Sequence, residues 1–282
     1  MCWAAAYGHY ELVEWLVDNK GRVLGKDKFK RQPLHLACRN GHVQVASLLL
    51  QRGALFDEGD SSSNTPLHFA AAYGWVEIID MLIRVGAEVN CENSWRSTPV
   101  NVAMLKNHYG CVKRLLLEDR VDVNCKDEKG RTLLTLALVS ITDETYQFVR
   151  YLLKEKKADP NIVDVDGFSP LHYIAQRQVN VSRYDHETGV YLTNKQYADK
   201  EKKELDQQIL LAKMLLEHGA DPFLKASNGQ TVFYICLTLK KLDLLRNFMH
   251  CVSLNKDPTL FFAFAPNVLN AEYQKILYEL FE

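Results

Sequence analysis

The chain has 282 residues, with 34 Lys and Arg against 35 Asp and Glu, a formal net charge of −1, and 47% hydrophobic residues. A charge so close to zero supplies no global field to draw the chain onto nucleic acid or an anionic membrane. No apolar run reaches the roughly 18 residues of a spanning helix, so neither nucleic-acid binding nor membrane insertion is expected.

The length exceeds what one compact core usually supports, leaving two domains or one body that grows by repetition. The seven cysteines, Cys2, Cys38, Cys91, Cys111, Cys125, Cys236 and Cys251, are odd in number, scattered, and never spaced as C-x-x-C. That pattern fits neither a disulfide framework nor a zinc site and reads as reduced thiols. The first seventeen residues, MCWAAAYGHYELVEWLV, lack a basic segment followed by a long apolar stretch and a cleavage site, so an intracellular, cytoplasmic protein is expected.

Taken in chain order, a six-residue pattern recurs. Gln32-Pro33-Leu34-His35-Leu36-Ala37, Thr65-Pro66-Leu67-His68-Phe69-Ala70 and Thr98-Pro99-Val100-Asn101-Val102-Ala103 follow one another at 33-residue steps, and Thr132-Leu133-Leu134-Thr135-Leu136-Ala137 comes 34 later. Ser169-Pro170-Leu171-His172 and Thr231-Val232-Phe233-Tyr234 continue the series after longer gaps. Each is followed by a second apolar segment, so that such segments lie at 8–17, 41–50, 74–83, 110–117, 146–153, 209–216 and 242–249. In the third of these, Val76, Ile78, Ile79, Met81, Leu82 and Ile83 are spaced to face neighbours on two sides, as in a helix held between stacked repeats. One unit cannot bury that surface alone, whereas stacking several gives a continuous core.

These motifs, together with the segment ends Arg52-Gly53-Ala54, Val85-Gly86-Ala87-Glu88-Val89-Asn90, Ala158-Asp159-Pro160-Asn161 and His218-Gly219-Ala220-Asp221-Pro222, resemble the ankyrin repeat. The resemblance covers residues 1 to about 252. It implies an all-α solenoid of helix-turn-helix units with hairpin-like fingers, about seven repeats in all, followed by a C-terminal capping helix. The units expected are 1–24, 25–57, 58–90, 91–124, 125–161, 162–222 with an insertion at 177–206, and 223–252, with 253–282 a helical cap or a junction to a further domain.

Several departures from the pattern carry expectations of their own. The first unit opens inside its first helix, because Trp3-Ala4-Ala5-Ala6-Tyr7-Gly8 aligns with Phe69-Ala70-Ala71-Ala72-Tyr73-Gly74. It is therefore either a trimmed fragment or an unusual end, and Trp3 and Trp15 either lie exposed or pack on the second repeat. The fingers normally place Gly three residues after Asp, as in Asp127 with Gly130 and Asp164 with Gly167. Lys30, Ser63 and Arg96 stand in that place in the first three fingers, so turns of different shape are expected there. The insertion, with Tyr184, Tyr191 and Tyr197 among mixed charges, is expected as a surface excursion, either solvated or touching a partner. Residues 198–216 are expected to form one extended second helix. In the tail, Leu269, Tyr273, Ile276, Leu277, Leu280 and Phe281 share one helical face.

No catalytic motif is found, and no catalytic residue, cofactor or metal is expected. His35, His68 and His172 sit in the opening turn, where the resemblance implies a hydrogen-bonding role, and His9 and His42 follow a turn glycine in a second structural position. The run Gly21-Arg22-Val23-Leu24-Gly25-Lys26 is one residue short of a phosphate loop. Asp57, Glu58 and Asp60 do not alternate as calcium ligands do, and neither does Asp164-Val165-Asp166-Gly167. Cys91 and Cys125 recur in phase, 34 residues apart, which reads as repeat packing.

The resemblance implies a partner protein bound on the concave face formed by fingertips and first helices. On this chain that face includes Phe56, Asp60, Tyr73, Trp75, Ser94, Trp95, Arg96, Lys106, Lys126, Glu128 and Lys129. Trp95 with Arg96 is the expected hot spot, since Trp and Arg dominate interface energies; packing of Trp95 on the adjacent finger, and of Trp75 between repeats, are the alternatives. A non-catalytic scaffold is the first functional expectation. A regulatory or targeting array of a larger multidomain enzyme, such as an ADP-ribosyltransferase, a kinase or a ubiquitin-ligase adaptor, is the second.

Overall fold

A computed structural model describes residues 1–139, 144–178, 184–185 and 190–251. The chain forms two compact units, Met1–Leu136 and Ala137–Glu282. The C-terminal cap expected at 253–282 lies outside the described residues.

The N-terminal unit is built from helix pairs: α1 (Cys2–Ala6) with α2 (Tyr10–Asp18), α3 (Pro33–Asn40) with α4 (Val43–Gln51), α5 (Pro66–Tyr73) with α6 (Val76–Arg84), and α7 (Pro99–Leu105) with α8 (Tyr109–Leu116). Helix α9 (Leu133–Val139) begins in this unit. First helices stack α1 on α3 on α5 on α7, and second helices α2 on α4 on α6 on α8. Between these two rows lies the core. Ile78, Ile79 and Leu82 of α6 are fully buried, while Val76, Met81 and Ile83 are partly covered, the two-sided burial that their spacing predicts. Burying one such side chain contributes about 1.5–3 kcal/mol, and the surface that receives it belongs to the neighbouring pair.

The first helices are short because sequence punctuates them at both ends. Proline at the first helical position of α3, α5 and α7 needs no amide partner there. At the other end Gly41 and Gly74 adopt the left-handed conformation that stops α3 and α5.

The three fingers without glycine do not differ in shape, contrary to the expectation from sequence. Lys30, Ser63 and Arg96 have φ of 59°, 59° and 54°, in the same left-handed region as Gly130 at 74°. In each finger the residue at that place donates its N–H to the carbonyl three residues back, at Asp27, Asp60, Asn93 and Asp127. Those same four residues hold the turn from the side chain. Oδ1 of each accepts two backbone N–H bonds at 2.8–3.0 Å, from the second and fourth residues after it. The Asx bonds thus force a left-handed residue whatever its side chain, at a cost of about 1–2 kcal/mol for a non-glycine.

Neighbouring fingers are also joined backbone to backbone: the N–H of Ser61, Ser94 and Glu128 donates to the carbonyl of Phe29, Ser62 and Trp95. Behind them Asn90 bridges to the next unit, giving Nδ2–H to the carbonyl of Arg120 at 2.6 Å and accepting from the N–H of Asp122 at 2.9 Å.

The C-terminal unit contains α10 (Thr145–Lys154), α11 (Pro170–Gln176), α12 (Asn194–Glu217), α13 (Val232–Thr238) and α14 (Leu242–Cys251). Here α11 packs on α13, and α12 lies against both α10 and α14. Between α11 and α12 come β1 (Tyr184–Asp185) and β2 (Val190–Tyr191), an antiparallel pair with Tyr184 opposite Tyr191. The extended second helix expected at 198–216 is present and starts four residues earlier. Thr193 and Gln196 form a capping box, each side chain accepting from the other's backbone N–H. Arg177 fastens the base of the insertion, donating from Nη2 to Glu204 at 3.2 Å and from Nη1 to the carbonyl of Val139 at 2.8 Å.

Replacing Ser63, an exposed residue, with glycine should remove left-handed strain without losing packing. We expect Ser63→Gly to raise stability by about 0.5–1 kcal/mol, the relief being partly offset by the freer unfolded chain. The reading is a higher urea midpoint with unchanged slope.

Candidate functional site

The histidines of the opening turns are structural, and their geometry says how. The N–H of Thr65 donates to His68 Nδ1 at 3.2 Å, which leaves the proton on Nε2, and Nε2 donates to the carbonyl of Ser97 in the next finger at 2.9 Å. His35 repeats this between Gln32 and the carbonyl of Glu58, and His172 between Ser169 and that of Gln230. Burial holds all three rings below the usual histidine range, His68 down to about 4, so they remain neutral. In the following unit Asn101 occupies this place. Its Nδ2 reaches the carbonyl of Cys125 only at 3.5 Å, and the buried hydroxyl of Thr98 has no hydrogen-bond partner.

A second structural position sits at the turn between paired helices. His42 and His108 donate from Nε2 to the carbonyls of Ala6 and Ala72 at 3.0 and 3.1 Å, and their rings lie over Gly8 and Gly74. Trp75 stands at the equivalent place. Its indole Nε1 donates to the carbonyl of Arg39 at 2.9 Å, and its ring covers Gly41 so closely that a β-carbon there would come within 2.6 Å. Although 40% exposed, Trp75 belongs to the stack and lies at the helix turn rather than among the fingers.

The acidic residues of the second finger are engaged one by one. Asp60 accepts its turn's amides, Glu58 pairs with Lys26 at 2.6 Å, and Asp57 accepts from the N–H of Glu88 at 3.0 Å. Among the described residues no three His, Cys, Asp or Glu side chains converge as a metal site would require. Cys91 donates to the carbonyl of Glu88 at 3.1 Å, and Cys125 to the carboxylate of Asp122 at 3.3 Å. Burial raises the two thiols to about 11 and about 12, the Asp122 bond adding to the latter, so neither is a ready nucleophile.

What remains is a cleft of about 660 Å³ between the first helices and the fingers of the N-terminal unit. Its apolar lining is formed by Phe69, Val102 and Leu105 together with Tyr73 and Trp95. Trp95 is 46% exposed; its backbone belongs to the finger ladder and the residue lines the cleft. Tyr73 accepts a hydrogen bond from Arg39 Nε at 3.0 Å. At the rim, Asp127 and Arg131 are paired at 2.7 Å beside Lys106 and Glu128.

Of the residues singled out from sequence, Tyr73, Trp95, Lys106 and Glu128 therefore come together in one cleft. Asp60 is used in its turn, Ser94 in the finger ladder through its N–H, and Lys129 donates its own N–H to Asp127. Phe56 and Lys126 are half-buried, and Arg96 is an exposed tip paired with Glu92 at 3.5 Å. The rest of the apolar lining was not anticipated. Phe69, Val102 and Leu105 read as ordinary helix residues, and the 33-residue period that carries them onto one wall was the available signal. The expectation that Trp3 and Trp15 either lie exposed or pack on the second repeat resolves toward exposure, at 75% and 61%.

Two expectations follow. Unfolded histidine takes up a proton near pH 6.5 that buried His68 refuses down to about 4, so His68 lowers stability as pH falls through that window. The slope is at most about 1.4 kcal/mol per pH unit, and the stability gap between the native chain and His68→Gln should narrow on acidification, measured by urea melts. Trp75→Phe, which leaves the carbonyl of Arg39 without its donor, should cost about 1 kcal/mol in the same melts.

Comparison with known proteins agrees with this architecture. The family described as ankyrin repeats, in three copies, matches residues 1–93, 77–164 and 100–204. A poly [ADP-ribose] polymerase tankyrase of Caenorhabditis elegans is 38% identical over 88 residues, 28% of this chain and 4% of the relative. An ankyrin repeat-containing protein of Saccharomyces cerevisiae is 40% identical over 57 residues, 20% of this chain and 11% of the relative. The chain thus spans a small part of either protein's length. No described helix is long and apolar enough to cross a membrane. With the turn histidines, fingers and stacked pairs all in place, the chain belongs to the ankyrin repeat family, whose repeats are modules for binding other proteins.

Proposed function

We propose that the chain is a non-catalytic interaction module that holds a partner protein on the fingertips and first helices of its N-terminal unit. The observation that carries this reading is the exposed Trp95, which together with Tyr73 lines an apolar cleft. Half-exposed aromatic rings around a cleft gain contact area only when something fills it. His68, Asn93, Asp127 and Arg131 beside it are committed to turns and neighbouring units, as scaffold rather than chemistry.

The N-terminal finger surface is therefore the binding face, with Tyr73, Trp95, Lys106 and Glu128 at its centre and Phe56, Asp60, Ser94, Arg96, Lys126 and Lys129 around it. Trp75 supports that face by fixing the neighbouring turn. A cytoplasmic protein without nucleic-acid contacts is the setting this reading assigns.

The nematode relative supports a second reading, in which such an array serves a larger enzyme as its targeting segment. The length of the native gene product separates the two, a product confined to these residues counting against the second.

The binding face is tested by crosslinked capture from the native source, read by mass spectrometry, with the intact chain and with a Trp95→Ala, Arg96→Ala pair. We expect a protein recovered by the intact chain to fall at least tenfold with the pair while the urea midpoint stays within about 0.5 kcal/mol. Undiminished recovery would overturn the finger face as the site.

A further inference from the structure

The Trp95 cleft has a twin in the same unit. A second cleft, of about 560 Å³, opens between the first finger and helices α1 and α3. Its residues Trp3, Ala6, Tyr7, Leu36 and Arg39 lie 66 positions before Phe69, Ala72, Tyr73, Val102 and Leu105 of the Trp95 cleft, a separation of two repeats. At the intervening step, the place of Ala6 and Ala72 is taken by Arg39. Its guanidinium lies 5.3 Å from the centre of the Tyr73 ring, where the flanking steps carry alanine. The two clefts are thus two repeats apart, with an arginine at the step between them.

Charge differs between them. In the first cleft Asp27 and Arg31 pair at 2.7 Å, and Lys28 and Arg39 remain in excess. The second is balanced, Lys106 and Arg131 against Asp127 and Glu128. The positive side is local, since the whole chain carries −1.

We propose that the N-terminal unit binds an extended acidic segment of a partner protein that places one apolar side chain in each cleft, with its carboxylates facing Lys28 and Arg39. This deepens the proposed function and rests on it. The spacing follows from geometry: packed helices lie 8–10 Å apart, so two steps span about 16–20 Å. An extended chain rises about 3.3 Å per residue, which puts the anchors about five or six residues apart. A single-stranded nucleic acid would also stack on aromatic rings, but it needs a continuous basic track, and the balanced charge of the second cleft interrupts one.

The test uses the full chain and fluorescein-labelled peptides read by anisotropy. Each peptide carries two leucines at i and i+2, i+6 or i+10 on a Glu/Ser background, with a Lys/Ser counterpart of the i+6 peptide and a labelled 15-nucleotide oligothymidine as comparators. We expect the acidic i+6 peptide to bind at least tenfold more tightly than every other probe. Arg39→Glu should weaken it at least tenfold, as should Ala72→Arg, which places a guanidinium in the second cleft at the position Arg39 holds in the intervening repeat. Should Ala72→Arg shift the urea midpoint, Arg39→Glu carries the test.

Equal affinity across spacings, preference for the lysine peptide or the oligonucleotide, or no binding by any peptide overturns the proposal. Loss of the captured partner with the Trp95 and Arg96 pair, alongside a flat peptide series, sinks the two-anchor reading and leaves the binding face standing. If capture also survives the pair, both fall.

Discussion

In the opening turns of this chain one imidazole satisfies two units at once. Nδ1 of His68 takes a backbone amide at the start of its own helix, while Nε2 on the opposite side of the ring holds a carbonyl of the finger that follows. The second of these bonds cannot be made by an isolated pair of helices. The finger ladder and the bridging asparagines obey the same rule, since donor and acceptor always lie about one repeat apart. Stability in such a stack comes from neighbour contacts, so a unit without its neighbour loses both its buried apolar face and its polar partners. This is also why the imidazoles are unsuited to proton transfer: the burial that makes the bonds strong keeps the rings neutral.

The period was legible from residues alone because turn, proline and histidine recur at fixed offsets, and helical spacing in residues such as Ile78, Ile79 and Leu82 told which faces were buried. Finger shape is not legible from the residue at the turn itself. Asp27, Asp60 and Asn93 set it through their side-chain acceptors, and the following residue is carried into the left-handed region along with them. The early start of α12 had a readable signal in Thr193 and Gln196, masked by the polar sequence around it.

For the site, single residues were legible and their grouping was not. Trp75 and Trp95 look alike in sequence as aromatics set in turns. One stands where His42 and His108 stand and gives its N–H to the preceding turn; the other gives only its backbone to the ladder and lines a cleft. The distinction lies in phase within the repeat. Alanines at 6 and 72, with arginine between them, likewise become a pattern only when the helices are stacked, because a cleft belongs to the space between units.

At Thr98 with Asn101 the histidine bridge is missing. Asparagine is too short to cap its own helix and grip the next finger as His68 does, and the threonine hydroxyl is left buried and unbonded. Under mechanical load a stack parts where neighbour coupling is weakest, as a laminate splits along its poorest glue line. One such seam lies past α8, between Asn101 and Cys125, so the four preceding helix pairs would come away together as a block. The paired clefts fall on the two sides of this block, the second reaching across the seam through Asp127, Glu128 and Arg131. A ligand seated in the second cleft would therefore act as a clamp on the array at that joint.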